Sequence, residues 1–206
     1  MALVDGFDGI IFDYGGVLAH HQTPQDQAGL ARIAGVEERQ FMELYWSDRP
    51  AYDKGSLTGV EYWQDIGIRA GATFTADTIR ELTEFDTQAW MQFDEAMFDW
   101  VEQLRLAGKR VAVLSNMPRD LGEALQSRTS RFRSFDFVTL SYEVRAVKPD
   151  PVIYEHCLSG LGTANSRTLF LDDRIENIHG AERVGIKGVQ FTSRSEVLPK
   201  LNGELS

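Results

Sequence analysis

Short apolar runs recur along the chain, each bounded by turn residues and followed by a stretch with helical spacing. Residues 10–12 lead into Asp13, 110–114 into Ser115 and 169–171 into Asp172, while 135–140 and 188–191 complete the set. Runs this short, rich in Val, Ile and Phe, predict buried strands of a parallel sheet. Between them, Met97, Trp100, Val101 and Leu104 mark one apolar helical face, with Gly108 placed to end that helix. Pro149 and Pro151 open a helix carrying Ile153, Cys157, Leu158 and Leu161; Ile175, Ile178 and Ala181 mark another, ended by Gly185. The alternation predicts an α/β fold with a doubly wound parallel sheet, in which ligands sit at the carboxyl ends of the strands.

One stretch breaks the alternation. Residues 24–90 hold no convincing strand but several helix starts. Thr23-Pro24 reads as an N-cap followed by proline at the first helical position. Thr58 and Glu61 have the spacing of a capping box, with Tyr62, Trp63 and Ile66 following on an apolar face. A further helix begins near Thr75 and carries Ile79 and Leu82. The expectation is a core built from 1–21 and 91–206, with an inserted four-helix cap over 22–90 standing above the site.

Composition narrows the function. Of 206 residues, 43% are hydrophobic, enough for a full core, and the net charge is −10 from 21 basic and 31 acidic side chains. Such a surface repels the phosphate backbone of DNA or RNA, so no nucleic-acid partner is expected. A single cysteine, Cys157, excludes an internal disulfide and fits a reducing compartment. The first residues lack the pattern of a signal peptide, and no run reaches the roughly 18 apolar residues that span a bilayer. No membrane is expected as a partner, and a cytoplasmic location follows.

Polar residues end the apolar runs. Asp13, Ser115 and Asp172-Asp173 each stand just past a strand, with Lys148 in a loop before a helix. In a doubly wound sheet those ends converge on one crevice. A carboxylate nucleophile, a hydroxyl, a lysine and a carboxylate pair together suit phosphoryl transfer. The first carboxylate attacks phosphorus, Ser and Lys stabilise the equatorial oxygens, and the acidic pair holds a hard divalent ion such as Mg²⁺.

The chain here resembles the haloacid-dehalogenase-like superfamily. Motif one is Asp13-Tyr14-Gly15-Gly16-Val17-Leu18, motif two Val113-Leu114-Ser115-Asn116, motif three Lys148-Pro149-Asp150-Pro151 and motif four Phe170-Leu171-Asp172-Asp173. All four occur in the family's order and span the chain. The resemblance is to the subgroup with a small four-helix cap, similar to its sugar-phosphate phosphatases. It implies Asp13 as nucleophile and metal ligand, and the carbonyl of Gly15 as a second ligand. Asp173 would bind Mg²⁺ directly and Asp172 directly or through water. Ser115 and Lys148 would hold the phosphoryl group of a small phosphorylated metabolite such as a sugar phosphate, with support from Asn116. Asn177, one turn beyond Asp173, would orient Lys148 or the acidic pair. The expected assembly is a monomer or homodimer.

Two positions depart from the family. Its usual general acid stands two residues after the nucleophile, where this chain has Gly15, so solvent, substrate or a cap residue must protonate the leaving group. His20 and His21 are candidates, since imidazole titrates near working pH. Arg145 stands where a glycine is common before motif three.

Each residue also has a bland reading. Asp13 alone is equally a turn residue, Ser115-Asn116 a helix cap, Asp172-Asp173 a favourable charge at a helix N-terminus, and Lys148 a solvated loop lysine. Trp46, Trp63, Trp90 and Phe85 either line a substrate pocket or pack the cap. Cys157 shares a helical face with Ile153 and Leu161 and reads as core. Two other functions compete with the phosphatase. A metal-free 2-haloacid dehalogenase would use the same Asp13 on carbon, although the acidic pair would repel a haloacid carboxylate. A regulatory protein would keep the fold with weakened catalysis.

Overall fold

The computed structural model of the protein describes residues 2–203. Five strands form one parallel sheet in the order β3-β2-β1-β4-β5, with β1 Gly9–Phe12, β2 Arg110–Ser115, β3 Phe137–Leu140, β4 Thr168–Asp172 and β5 Lys187–Gln190. The runs are continuously apolar because both faces of the sheet are covered. Ile10, Phe12, Val111, Val113, Leu169 and Leu171 enter one buried cluster, whereas Ile11, Ala112, Leu114 and Phe170 enter the other. Helices α6 (Glu95–Leu106), α7 (Arg119–Arg128) and α11 (Arg194–Asn202) supply the first layer. The second comes from α9 (Pro151–Leu161) and α10 (Ile175–Arg183). Each buried Leu, Ile or Phe contributes about 1.5–3 kcal/mol on this bookkeeping.

Two expected edges move. The third strand begins at Phe137, because Asp136 turns aside to accept the Val111 N–H at 2.8 Å. The helix after motif three begins at Pro151 instead of Pro149, since Asp150 is its N-cap and accepts the Val152 N–H at 3.0 Å.

Between β1 and β2 the chain forms α1 (Pro24–Ala34), α2 (Glu38–Ser47), α3 (Arg49–Asp53), α4 (Gly59–Arg69) and α5 (Ala76–Ala89). Thr23, Thr58 and Thr75 cap α1, α4 and α5 as the sequence predicts. The count differs from four because Pro50, which lacks an N–H, stands in the first turn of a separate five-residue helix after α2. These helices have their own core, including Leu30, Phe41, Tyr45, Tyr62, Trp63 and Leu82. Polar contacts tie them to the sheet layers. Tyr52 Oη donates to Asp120 at 2.7 Å, and Arg128 grips both oxygens of Glu84 at 2.6 and 2.7 Å. The expected core segments extend to residue 1 and to 204–206, which lie outside the described residues. Among the described residues no helix is long and apolar enough to cross a membrane.

Candidate active site

Strand register builds the site. Phe12 stands level with Leu171 on one side and Val113 on the other, so Asp13 and Asp172 leave neighbouring strands side by side. The order of the strands reverses between β1 and β4, the position at which open α/β sheets form their crevice. Asp13 N–H donates to Leu171 O at 2.8 Å, which fixes that alignment.

Lys148 joins the two carboxylates. Its Nζ lies 2.7 Å from Asp13 Oδ1 and 2.7 Å from Asp172 Oδ2, and donates to Leu114 O at 3.0 Å. All three side chains are buried. Burial and the Asp172 carboxylate push the Asp13 carboxyl up to about 8, against the pull of Lys148. Burial also opposes the charge of Lys148, but Asp13 and Asp172 outweigh it and hold the ammonium above its ordinary range. Asp172 overcomes burial through Lys148, the Arg174 N–H and Asn177, and stays below the usual carboxylate range.

The remaining motif residues divide into those facing the crevice and those supporting it. Asn116 pairs reciprocally with the backbone of Lys148, donating to its carbonyl at 3.0 Å and accepting its N–H at 2.8 Å. Ser115 is buried at the end of β2, with its hydroxyl 3.5 Å from Asn116 O. Asn177 donates to both oxygens of Asp172 at 2.9 and 3.0 Å, so it orients that one member of the acidic pair. Asp173 is more open, and its Oδ2 lies 3.1 Å from His21 Nε2. That contact lifts the imidazole above its ordinary range. Both histidines are exposed; His21 lines the crevice, whereas His20 donates its backbone N–H to Gln92 O. Arg145 adopts φ 59° and its guanidinium binds Gly55 O, outside the lining of this crevice. The left-handed backbone there explains why glycine suits the position.

One carboxylate oxygen each from Asp13, Asp172 and Asp173 can be chosen so that all lie within 4.8 Å of one another. Hard oxygen donors at that spacing fit a divalent cation, which would offset the repulsion among three carboxylates drawn together. Asp172 already accepts from Lys148, Arg174 and Asn177, which leaves Asp13 and Asp173 as the freer donors.

A cavity of about 760 Å³ opens from Asp13 toward the inserted helices. Trp46 and Trp90 line it, whereas Trp63 is fully buried in the helical core and Tyr52 packs against Tyr62. Sequence reasoning missed Arg49 and Asp53, which also line the cavity and pair at 2.8 Å. Arg49 further meets Asp86 at 3.3 Å, and Tyr45 Oη gathers Arg49, Asp86 and Trp90 Nε1. The i, i+4 spacing of Arg49 and Asp53 was a signal for the pair; its burial was not visible.

The profile of haloacid dehalogenase-like hydrolases matches residues 7–185. The chain belongs to that family. Among its relatives is a sesquiterpene phosphatase of Aspergillus oryzae, 26% identical over 189 residues, covering 90% of each chain. A D-ribitol-5-phosphate phosphatase of Bacteroides thetaiotaomicron is 26% identical over 194 residues, covering 88% of this chain and 90% of the relative. The fold is also similar to that of a haloacid-dehalogenase family enzyme from the same bacterium, solved with magnesium and inorganic phosphate. That match has a TM-score of 0.76 at 20% identity, over 93% of this chain and 99% of the other. This hydrolase thus shares its architecture with family members across nearly its whole length.

Proposed function

We propose that this hydrolase is a Mg²⁺-dependent phosphomonoesterase for a small phosphorylated metabolite, with Asp13 as nucleophile. The observation that carries the reading is Lys148 Nζ at 2.7 Å from both Asp13 and Asp172, beside Asp173 in one crevice. The relatives named as phosphatases and the neighbour holding magnesium and phosphate support it.

In this reading the Asp13 carboxylate attacks phosphorus and the ester P–O bond breaks. The leaving oxygen takes its proton from solvent, because Gly15 offers none. Water then attacks the Asp13 acyl phosphate, releasing phosphate and restoring the carboxylate. Lys148 and Ser115 hold the phosphoryl oxygens, and Asn116 positions Lys148 through its backbone. Asp13, Asp173 and the Gly15 carbonyl would hold Mg²⁺, with Asp172 contributing directly or through water. The ion supplies charge neutralisation between the anionic nucleophile and the anionic substrate. Asn177 and the Arg174 N–H keep Asp172 aligned to orient Lys148. Helices α1–α5, over 22–90, act as a cap that closes the leaving-group side.

The test is phosphate release from a panel of phosphomonoesters, with Mg²⁺ or with chelator, in wild type and Asp13→Asn. Metal-dependent release that the substitution abolishes supports the reading. Halide release from 2-haloacids in chelator, without phosphate release, would overturn it.

A further inference from the structure

The same cavity carries information about what is attached to the phosphate. At about 760 Å³ it is far larger than a phosphoryl group needs, and the part beyond Asp13 must receive the organic portion. Trp46, Pro50, Trp90, Met117, Leu121 and Val147 form its apolar walls.

Polar side chains also line it, and several of them spend hydrogen bonds on the protein itself. Arg49 is engaged by Asp53, Asp86 and Tyr45. Asn116 is engaged by the Lys148 backbone, Asn177 by Asp172, and Glu176 by Arg174 at the rim. A substrate hydroxyl set against the apolar walls loses water and gains no hydrogen-bond partner there. Each such hydroxyl lowers affinity by roughly an order of magnitude. A hydrocarbon surface meets the opposite balance, since it leaves water for aromatic and aliphatic walls.

Trp46 stands out among these walls. It is 47% exposed, although large aromatic side chains usually cover most of their surface. Its ring is held edge-on against Tyr45 at 4.8 Å, with the Arg49 guanidinium 6.0 Å from its centre. The indole therefore presents an apolar surface at the cavity.

We propose that the organic part of the substrate is a largely hydrocarbon framework instead of a polyhydroxylated one, and that Trp46 selects it by covering its apolar surface. This rests on the phosphatase reading of the Asp13 site and gives that site a substrate class.

The experiment compares primary-alcohol phosphates of similar leaving-group basicity, cyclohexylmethyl phosphate against a pentitol 5-phosphate and a hexose 6-phosphate, with Mg²⁺ present. The hydrocarbon ester is expected to show at least about tenfold higher kcat/KM, carried mainly by KM. Trp46→Ala should collapse that ratio several-fold and Trp46→Phe should keep most of it; the exposure of Trp46 favours folding of both variants. Preference for the polyol esters, or a ratio that Trp46→Ala leaves unmoved, would overturn the proposal. Binding of cyclohexylmethyl phosphonate and of a pentitol phosphonate is measured in parallel by calorimetry. No turnover of any ester, with tight Trp46-dependent binding of the hydrocarbon phosphonate, would remove the phosphatase reading and keep the pocket assignment. Neither turnover nor selective binding would remove both.

Discussion

The indole of Trp90 lies over Gly15 so closely that a β-carbon at position 15 would stand 3.1 Å from its Cζ3. Trp90 is itself pinned, since its Nε1 donates to Tyr45 Oη at 3.1 Å and its ring is almost fully buried. A side chain at position 15 would therefore start out pressed against the Trp90 ring.

In the proposed reaction, this relationship makes the leaving group decisive. A positioned general acid contributes about 10²–10⁴-fold, most for the most basic leaving oxygen. Wild type should therefore hydrolyse aryl and acyl phosphates far faster than simple alkyl phosphates. Gly15→Asp should not flatten that dependence, because the carboxylate meets Trp90, and it should lose about 1–3 kcal/mol of stability to overpacking. Gly15→Asp combined with Trp90→Ala frees the space and should flatten it. Rates plotted against leaving-group pKa for the three proteins decide the matter. A flat wild-type plot with chemistry rate-limiting would point to another proton donor, with His21 the first to substitute.

Asp13→Asn should fold and lose hydrolysis by at least about 10³-fold, as expected when a nucleophile is removed. Circular dichroism and phosphate release on the same preparation check this. Substantial residual turnover would remove Asp13 from the nucleophile role.

Removal of divalent metal should abolish activity, and Mg²⁺ should restore it. The carboxylates of Asp13, Asp172 and Asp173 would also bind the ion without substrate, so Mg²⁺ should raise the thermal midpoint. At a concentration 100 times Kd the gain is about 2.7 kcal/mol. Asp173→Asn should shrink that shift. An unchanged midpoint across a Mg²⁺ titration would count against metal binding by this cluster.

Arg49→Ala should cost about 3–5 kcal/mol, because Asp53 and Asp86 would be left as buried carboxylates without their shared cation. Urea denaturation gives the value. Adding Asp86→Asn to that variant should recover part of the loss, and strict additivity of the two substitutions would show that the pair does not interact.

Cys157 should resist alkylation in the native protein. It is fully buried, and burial pushes its thiol up to about 12, so thiolate is scarce at neutral pH. Iodoacetamide labelling should track unfolding across a urea titration. Rapid labelling without denaturant would mean that the α9 face opens.

How much of this was legible in the chain depends on the range of the interactions involved. The sequence by itself determined the five strands, since a run such as Ile10-Ile11-Phe12 is apolar wherever it is placed. It determined the caps at Thr23, Thr58 and Thr75, because each bonds to a residue three positions on. It also marked Asp13, Ser115, Lys148, Asp172 and Asp173, each ending a strand or preceding a helix. Tertiary structure alone decided which supporting partners these residues take. Asn177 serves Asp172, and Asn116 serves the Lys148 backbone, across 32 positions of sequence. It also decided which aromatics face the cavity: Trp46 and Trp63 lie on adjacent helices of the same insertion, yet one lines the crevice and the other fills its core. Composition and helical spacing treat both as apolar. Their separation follows from how α2 and α4 pack around Tyr45 and Tyr62, and that packing exists only once the chain has folded.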